Sequence, residues 1–270
     1  MNLDLLHEKL FEILCLIDEI CEKEGIEYYI DSGTLIGAVR EHDFIPWDDD
    51  ADIVMTRDNY NKFRKVVKDY FPDNYRLVDP KDYGQLFYDF IPRIVDMNVP
   101  LRNETDEDRA YKNYNNRASV DIFLMDNAPN SAFLRKMQSF KAKIIYCLAL
   151  SKRYKIHDEK YTFLEKVVVG ILSFVGKAFS VNKLIDMYQK NQTRYAQKET
   201  NYYIYWSIIY CLLIYPKSFY HEKTKVSLHG KEFSAPLDYD TVLRFYYGDY
   251  MTPVRDGFIV HAELTEENLQ

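Results

Sequence analysis

The chain has little cysteine, no excess of positive charge and no long apolar run. Four cysteines stand in 270 residues: Cys15, Cys21, Cys147 and Cys211. No pair has the CxxC spacing of a zinc site, and so few in a chain of this length exclude a disulfide framework. A reducing cytoplasm is the expected compartment, with the thiols packed as small apolar groups. The formal charge of −7 argues against a nucleic-acid partner, whose binders carry a basic face. The apolar stretches 167–176 and 202–215 fall short of the ~20 residues a spanning helix needs. The N-terminus, MNLDLLHEKL, lacks the basic start of a signal peptide. Internal repeats and low-complexity tracts are absent.

What is present is an acidic motif. Tyr28 to Arg57 reads YYIDSGTLIGAVREHDFIPWDDDADIVMTR. Its pattern predicts a short strand to Asp31, a turn at Ser32-Gly33-Thr34, a helix over 35–40 and a second strand from Asp52. Asp48, Asp49, Asp50 and Asp52 crowd five positions between a Trp and an Ile-Val-Met run. Strand alternation would set Asp48, Asp50 and Asp52 on one face, with Asp49 and Ala51 on the other. Converging carboxylates are hard oxygen ligands suited to Mg²⁺ or Mn²⁺. A solvated acidic loop tip is the plainer alternative. Asp121 stands alone in the apolar run ASVDIFLM, where an unpaired charge is costly.

The segment GTLIGAVREHDFIPWDDDADIVMTRDNY resembles the signature of the LicD family. That family includes bacterial phosphocholine transferases and fukutin-type phospho-alditol transferases, within the nucleotidyltransferase-fold superfamily. Weaker similarity runs through PRIVD (92–96) and through 237–254. The resemblance implies a turn at Gly33-Thr34, an acid pair at Asp50 and Asp52, and a third acid at Asp121. These three are the expected catalytic acids, and with Asp48 the expected ligands of Mg²⁺ or Mn²⁺. Gly33, Thr34, Arg40, Arg93 and Trp47 are the expected donor-binding residues. Arg40 would reach phosphates or pair with an acid; Arg93 would face the diphosphate or be a surface cation. The donor implied is CDP-choline or another CDP-linked compound. The acceptor is a hydroxyl of a glycan or lipid-linked glycan, and CMP leaves. A true nucleotidyltransferase releasing pyrophosphate, and a non-catalytic glycan-precursor-binding subunit, are the alternatives.

The expected fold is a mixed α/β nucleotidyltransferase-like core, its sheet flanked by helices, with a helical insertion. Residues 1–132 would form the core, 133–215 the insertion and 216–270 a segment packing back. Leu3, Leu6, Leu10, Ile13, Leu14 and Ile17 predict a helix over 2–24, ended at Gly25. A second helix is expected over 58–70 and strands over 75–79, 86–96 and 118–124. Residues 102–117, polar and charged, predict an exposed loop. Helices are expected over 133–150, 160–179 and 182–198; 202–215 fits a helix or a strand pair. The 160–179 helix is expected either in the core or against the inner membrane face, where lysines flank its apolar body. With 24 tyrosines, a cage of Trp47, Tyr83, Phe87 and Tyr88 for a quaternary ammonium is one reading. Ordinary core packing of those rings is the favoured one.

Overall fold

The computed structural model describes residues 2–156, 161–206 and 214–254. Cys211 and the C-terminal tail with Arg255 and His261 lie outside them. The first helix, α1 (Leu3–Glu24), starts where the Asn2 side chain accepts from the Asp4 amide and ends at Gly25, φ +62°. Its apolar stripe packs on a mixed seven-stranded sheet. In chain order the strands are β1 (Tyr29–Ile30), β2 (Ala51–Thr56), β3 (Tyr75–Val78), β4 (Arg93–Pro100), β5 (Arg117–Ala128), β6 (Tyr202–Tyr205) and β7 (Ile214–Pro216). The main path is β1-β2-β5-β4-β3, with β6 paired to β5 and β7 to β6.

Among the described residues the one parallel pair is β2 with β5; the others are antiparallel. Both strands of that pair are close to fully buried along their apolar positions, as parallel pairs require. Helix α2 (Ser32–Arg40) follows β1, and α3 (Arg57–Val66) follows β2. The hairpin of β8 (Lys223–Leu228) and β9 (Lys231–Pro236) covers the N-terminal helix, and α8 (Tyr239–Tyr247) follows. A buried Asp18 ties α1 to this hairpin, accepting from Tyr28 at 2.6 Å and pairing with Lys231 at 3.0 Å.

The mixed α/β core stands as expected from the residues, and two details differ. The strand predicted over 86–96 begins only at Arg93, because Phe87 and Phe90 turn away into a second core with Tyr188 and Trp206. Residues 102–117 are not simply an exposed loop. They hold a short helix, α4 (Asp106–Ala110), capped by Thr105 and Asp108, with Asp108 fully buried against Arg102. Its polar composition concealed a self-satisfied network. Of the two readings of 202–215, the described residues form the strand pair: β6 pairs with β7 and, through β5, extends the core sheet from within the predicted insertion. The helices of that insertion are α5 (Ala132–Ala149), α6 (Phe163–Gly176) and α7 (Val181–Gln192).

Candidate active site

The acids meet because of strand register. Asp52 of β2 lies directly beside Asp121 of the parallel strand β5, and Arg93 of β4 lies beside Asp121 on its other side. Adjacent strands are about 4.8 Å apart, so the three residues form one row across the sheet. Arg93 Nε is 3.0 Å from Asp121 Oδ1, and its Nη2 is 2.6 Å from Asp89. Its guanidinium also lies over the Tyr88 ring at 5.1 Å. The expected mid-strand carboxylate is thus paired, which answers the burial cost that singled it out.

Helix α2 and the loop after it deliver the remaining acids. Its first turn begins at Ser32, so Gly33 and Thr34 are helical rather than a preceding turn. Thr34 Oγ1 accepts from the Asp52 amide at 2.8 Å, and the Asp31 amide donates to the Asp52 carbonyl at 3.0 Å. Gly33 and Gly37 are one helical turn apart and form a bed for the returning loop. A Cβ at Gly37 would stand 2.5 Å from the Asp43 carbonyl oxygen, and one at Gly33 would stand 2.3 Å from Asp48 Oδ2. The glycines are therefore demanded by the acidic loop itself. His7 of α1 holds that loop from below, its Nε2 2.7 Å from the Asp48 carbonyl and its ring stacked on Phe44 at 4.8 Å.

This geometry makes a prediction. Gly33→Ala is expected to displace the Asp48 carboxylate and cost activity more than stability, since a side chain can rotate away. Gly37→Ala meets backbone and is expected to destabilise by about 1–3 kcal/mol. Thermal melts and turnover of the two variants check this; identical profiles would contradict it.

One correction concerns the alternation. Strand β2 starts at Ala51, so residues 48–50 are irregular and do not alternate. Ligand oxygens of Asp48, Asp49 and Asp50 all lie within 4.8 Å of one another. Asp49, expected to point away, is buried with Asp48 at the site. The donor set consists of carboxylate oxygens, the chemistry that Mg²⁺ or Mn²⁺ takes. Arg40 ends α2 with Nε 2.6 Å from Glu41 and Nη1 2.8 Å from the Tyr250 carbonyl. Trp47 is half-buried against the main core, one residue before Asp48. Tyr83 and Phe87 are core residues, and Tyr88 lies beneath Arg93.

Asp31 escaped the sequence reading. It is buried, starts α2 without a side-chain cap bond, and neighbours Asp52. Burial pushes its carboxyl above the ordinary range, with Tyr205 and Ser32 pulling the other way. Burial also raises Asp48, helped by Asp50 and Asp49, and Asp52, helped by Asp50, Asp121 and Asp48. The next residue, Ser32, has φ +50°, a left-handed conformation that a serine rarely takes. Acid followed by a strained small residue at a strand end was the available signal.

Sequence comparison agrees with this geometry. Residues 25–153 match the model described as LicD/FKTN/FKRP, nucleotidyltransferase domain. Residues 25–153 thus resemble a LicD-family domain. Its match spans β1 through α5 and so contains every acid of the site. The chain is also similar to the lipopolysaccharide cholinephosphotransferase LicD of Haemophilus influenzae, 28% identical over 88% of this chain and 87% of that protein. Uncharacterised proteins of Rickettsia typhi and Rickettsia prowazekii match shorter stretches, 35% and 34% identical over 74 and 75 residues.

Proposed function

We propose that this protein transfers phosphocholine from CDP-choline to a hydroxyl of a cell-surface glycan precursor, releasing CMP, in the cytoplasm at the inner membrane face. It is an enzyme of the phosphate-group transferases. The observation that carries the reading is the row Arg93–Asp121–Asp52 beside the Asp48–Asp50 cluster. Asp48 and Asp50 would hold Mg²⁺ or Mn²⁺ together with Asp49 of the same group, and Asp52 and Asp121 would join them from the neighbouring row. A bound cation neutralises charge on a diphosphate and on the phosphate that leaves.

The side chains then divide the work. The acceptor oxygen attacks the phosphorus that bears choline, and the P–O bond to the CMP phosphate breaks. The acceptor proton passes to a carboxylate, assigned to Asp121, and CMP departs as an anion. Arg93 supplies positive charge at the phosphates. The start of α2 at Gly33-Thr34 presents backbone amides to an anion. Trp47, one residue before the acidic loop, borders the donor, while Arg40 is held by Glu41 and the Tyr250 carbonyl.

Choline is favoured over an alditol by what surrounds Asp31. Tyr205, Tyr215, Tyr220 and Tyr246 cluster near it. Their rings pack together, Tyr215 on Tyr246 at 4.4 Å and on Tyr220 at 5.4 Å. A carboxylate among aromatic rings suits a quaternary ammonium; an alditol wants hydrogen-bonding groups. The test is CMP release from CDP-choline, CDP-glycerol and CDP-ribitol, each with Mg²⁺ and a glycan acceptor extract. CDP-choline is expected to be the best donor, and Asp31→Asn to lose its preference by about tenfold or more. Better turnover of an alditol donor refutes choline alone. Pyrophosphate release from a nucleoside triphosphate refutes the phosphotransfer as well.

A further inference from the structure

Helix α6 turns its apolar side outward. Its buried residues are Ser173 and Gly176. The Ser173 hydroxyl donates to the Cys147 carbonyl at 3.3 Å, and a Cβ at Gly176 would stand 2.1 Å from the Leu148 carbonyl oxygen. Small residues near its C-terminal end thus seat it on α5. Phe163, Leu164, Ile171 and Phe174 are 84%, 72%, 61% and 74% exposed. With Val167, Val168 and Val175, also exposed, they recur at helical spacing on one face. Neighbouring α5 adds Phe133 and Phe140, 70% and 67% exposed. Contiguous apolar surface of this kind marks a contact site.

The charge along α5 has one sign. The chain as a whole carries −7, yet between Ala132 and Ile156 every charged side chain is basic. Lys136, Lys141 and Lys143 are exposed along α5 among its outward rings, and Lys155 is exposed beyond it. On α6 itself the one acid, Glu165, is occupied in the capping box with Thr162.

We infer that the α5–α6 face docks on an anionic lipid bilayer. The inference extends the proposed function, and rests on it only for the acceptor's place at the membrane. At 1.5 Å per residue α6 is about 21 Å long, shorter than the ~30 Å hydrocarbon core. Among the described residues no single helix is long and apolar enough to cross a membrane; α6 and 181–195 pass that test only as a pair bent by 113°, and α7 is buried in the second core. The helix therefore lies in the interface, rings toward the acyl chains and lysines at headgroup phosphates. A symmetric contact between two copies would set the same lysines against each other, which disfavours a dimer as the occupant.

Co-sedimentation of the full chain with phosphatidylcholine vesicles, and with vesicles that also contain phosphatidylglycerol, tests the assignment. The protein is expected to pellet with the anionic vesicles and only weakly with the neutral ones. Ile171→Asp/Phe174→Asp and, separately, Lys136→Glu/Lys141→Glu are each expected to lower the bound fraction at least about fivefold. All four positions are exposed, so neither variant disturbs a core. Wild type left in the supernatant with both vesicle types would overturn the inference, as would a double variant that pellets like wild type. A dimer in sedimentation equilibrium that Ile171→Asp/Phe174→Asp dissolves, without vesicle binding, would assign the face to a second copy and overturn it too. Vesicle binding by a wild type that releases no CMP would support the docking face and count against the proposed transfer alone.

Discussion

Asp52→Asn is expected to cut CMP release by about 10³-fold or more while leaving the fold at least as stable as before. The two effects separate because Asp52 is placed for charge, not for packing. Its backbone amide already donates to Thr34 and its backbone carbonyl accepts from Asp31, so the amide substitution leaves the strand intact. Its carboxylate, by contrast, has Asp50, Asp121, Asp48 and Asp31 around it. Removing one negative charge from that group relieves repulsion in the metal-free protein. The comparison is Asp121→Asn, which abolishes turnover equally but takes a partner from buried Arg93. Breaking a fully buried pair costs about 3–5 kcal/mol. Asp121 is 19% exposed and Asp89 remains, so about 2 kcal/mol is the expected loss. Thermal melts beside CMP assays read both at once. Near-normal turnover in Asp52→Asn would remove Asp52 from the site.

Chelation is expected to abolish activity, and added Mg²⁺ or Mn²⁺ to restore it, with a stabilising effect that grows with pH. Asp31, Asp48 and Asp52 all have folded-state carboxyls raised above 3.8, by burial in each case and, for Asp48 and Asp52, by neighbouring acids second. A raised carboxyl binds more protons folded than unfolded. Its favourable contribution is therefore present at low pH and lost as pH climbs from 3.8 through the raised value, which is about 9 for Asp48. The metal-free protein should accordingly lose stability across the neutral range. A divalent cation displaces those protons and replaces what ionisation cost, so the metal-induced gain in Tm should be larger at pH 8 than at pH 5.5. The expected loss of turnover in excess chelator is about 10³-fold or more. Full activity in chelator, or a Tm that ignores Mg²⁺ at every pH, would falsify the carboxylate site as a metal site.

The insertion shows where composition stops being informative. The apolar spacing of Phe163 to Gly176 predicts a helix and cannot say which side of it meets protein. Two small residues decide that: Ser173 and Gly176 touch α5, and the large ones are left outside. In the same way, Thr105 and Asp108 form a capping box with a buried ion pair inside a stretch that hydrophilicity alone assigns to a loop.

The sequence by itself determined the long helices, the β2 strand, the acidic cluster and the isolation of Asp121 in its apolar run. Each rests on local information: 3.6-residue periodicity in α1, crowded charge at 48–52, and a lone carboxylate in an apolar run. The LicD resemblance was legible for the same reason, since its residues are contiguous along the chain. Only the tertiary structure decided which acids face one another. Asp52 and Asp121 are neighbours because β2 and β5 pair in parallel in one register, and a slip of one residue would have sent them to opposite faces. Asp49 joins Asp48 because the chain is irregular until Ala51, which alternation cannot foresee. Arg93 finds Asp121, His7 finds the Asp48 carbonyl, and tyrosines from β6, β7 and α8 gather near Asp31, across sequence distances that no local pattern spans. Long-range pairing is set by which faces can be buried together, and that is a property of the whole sheet.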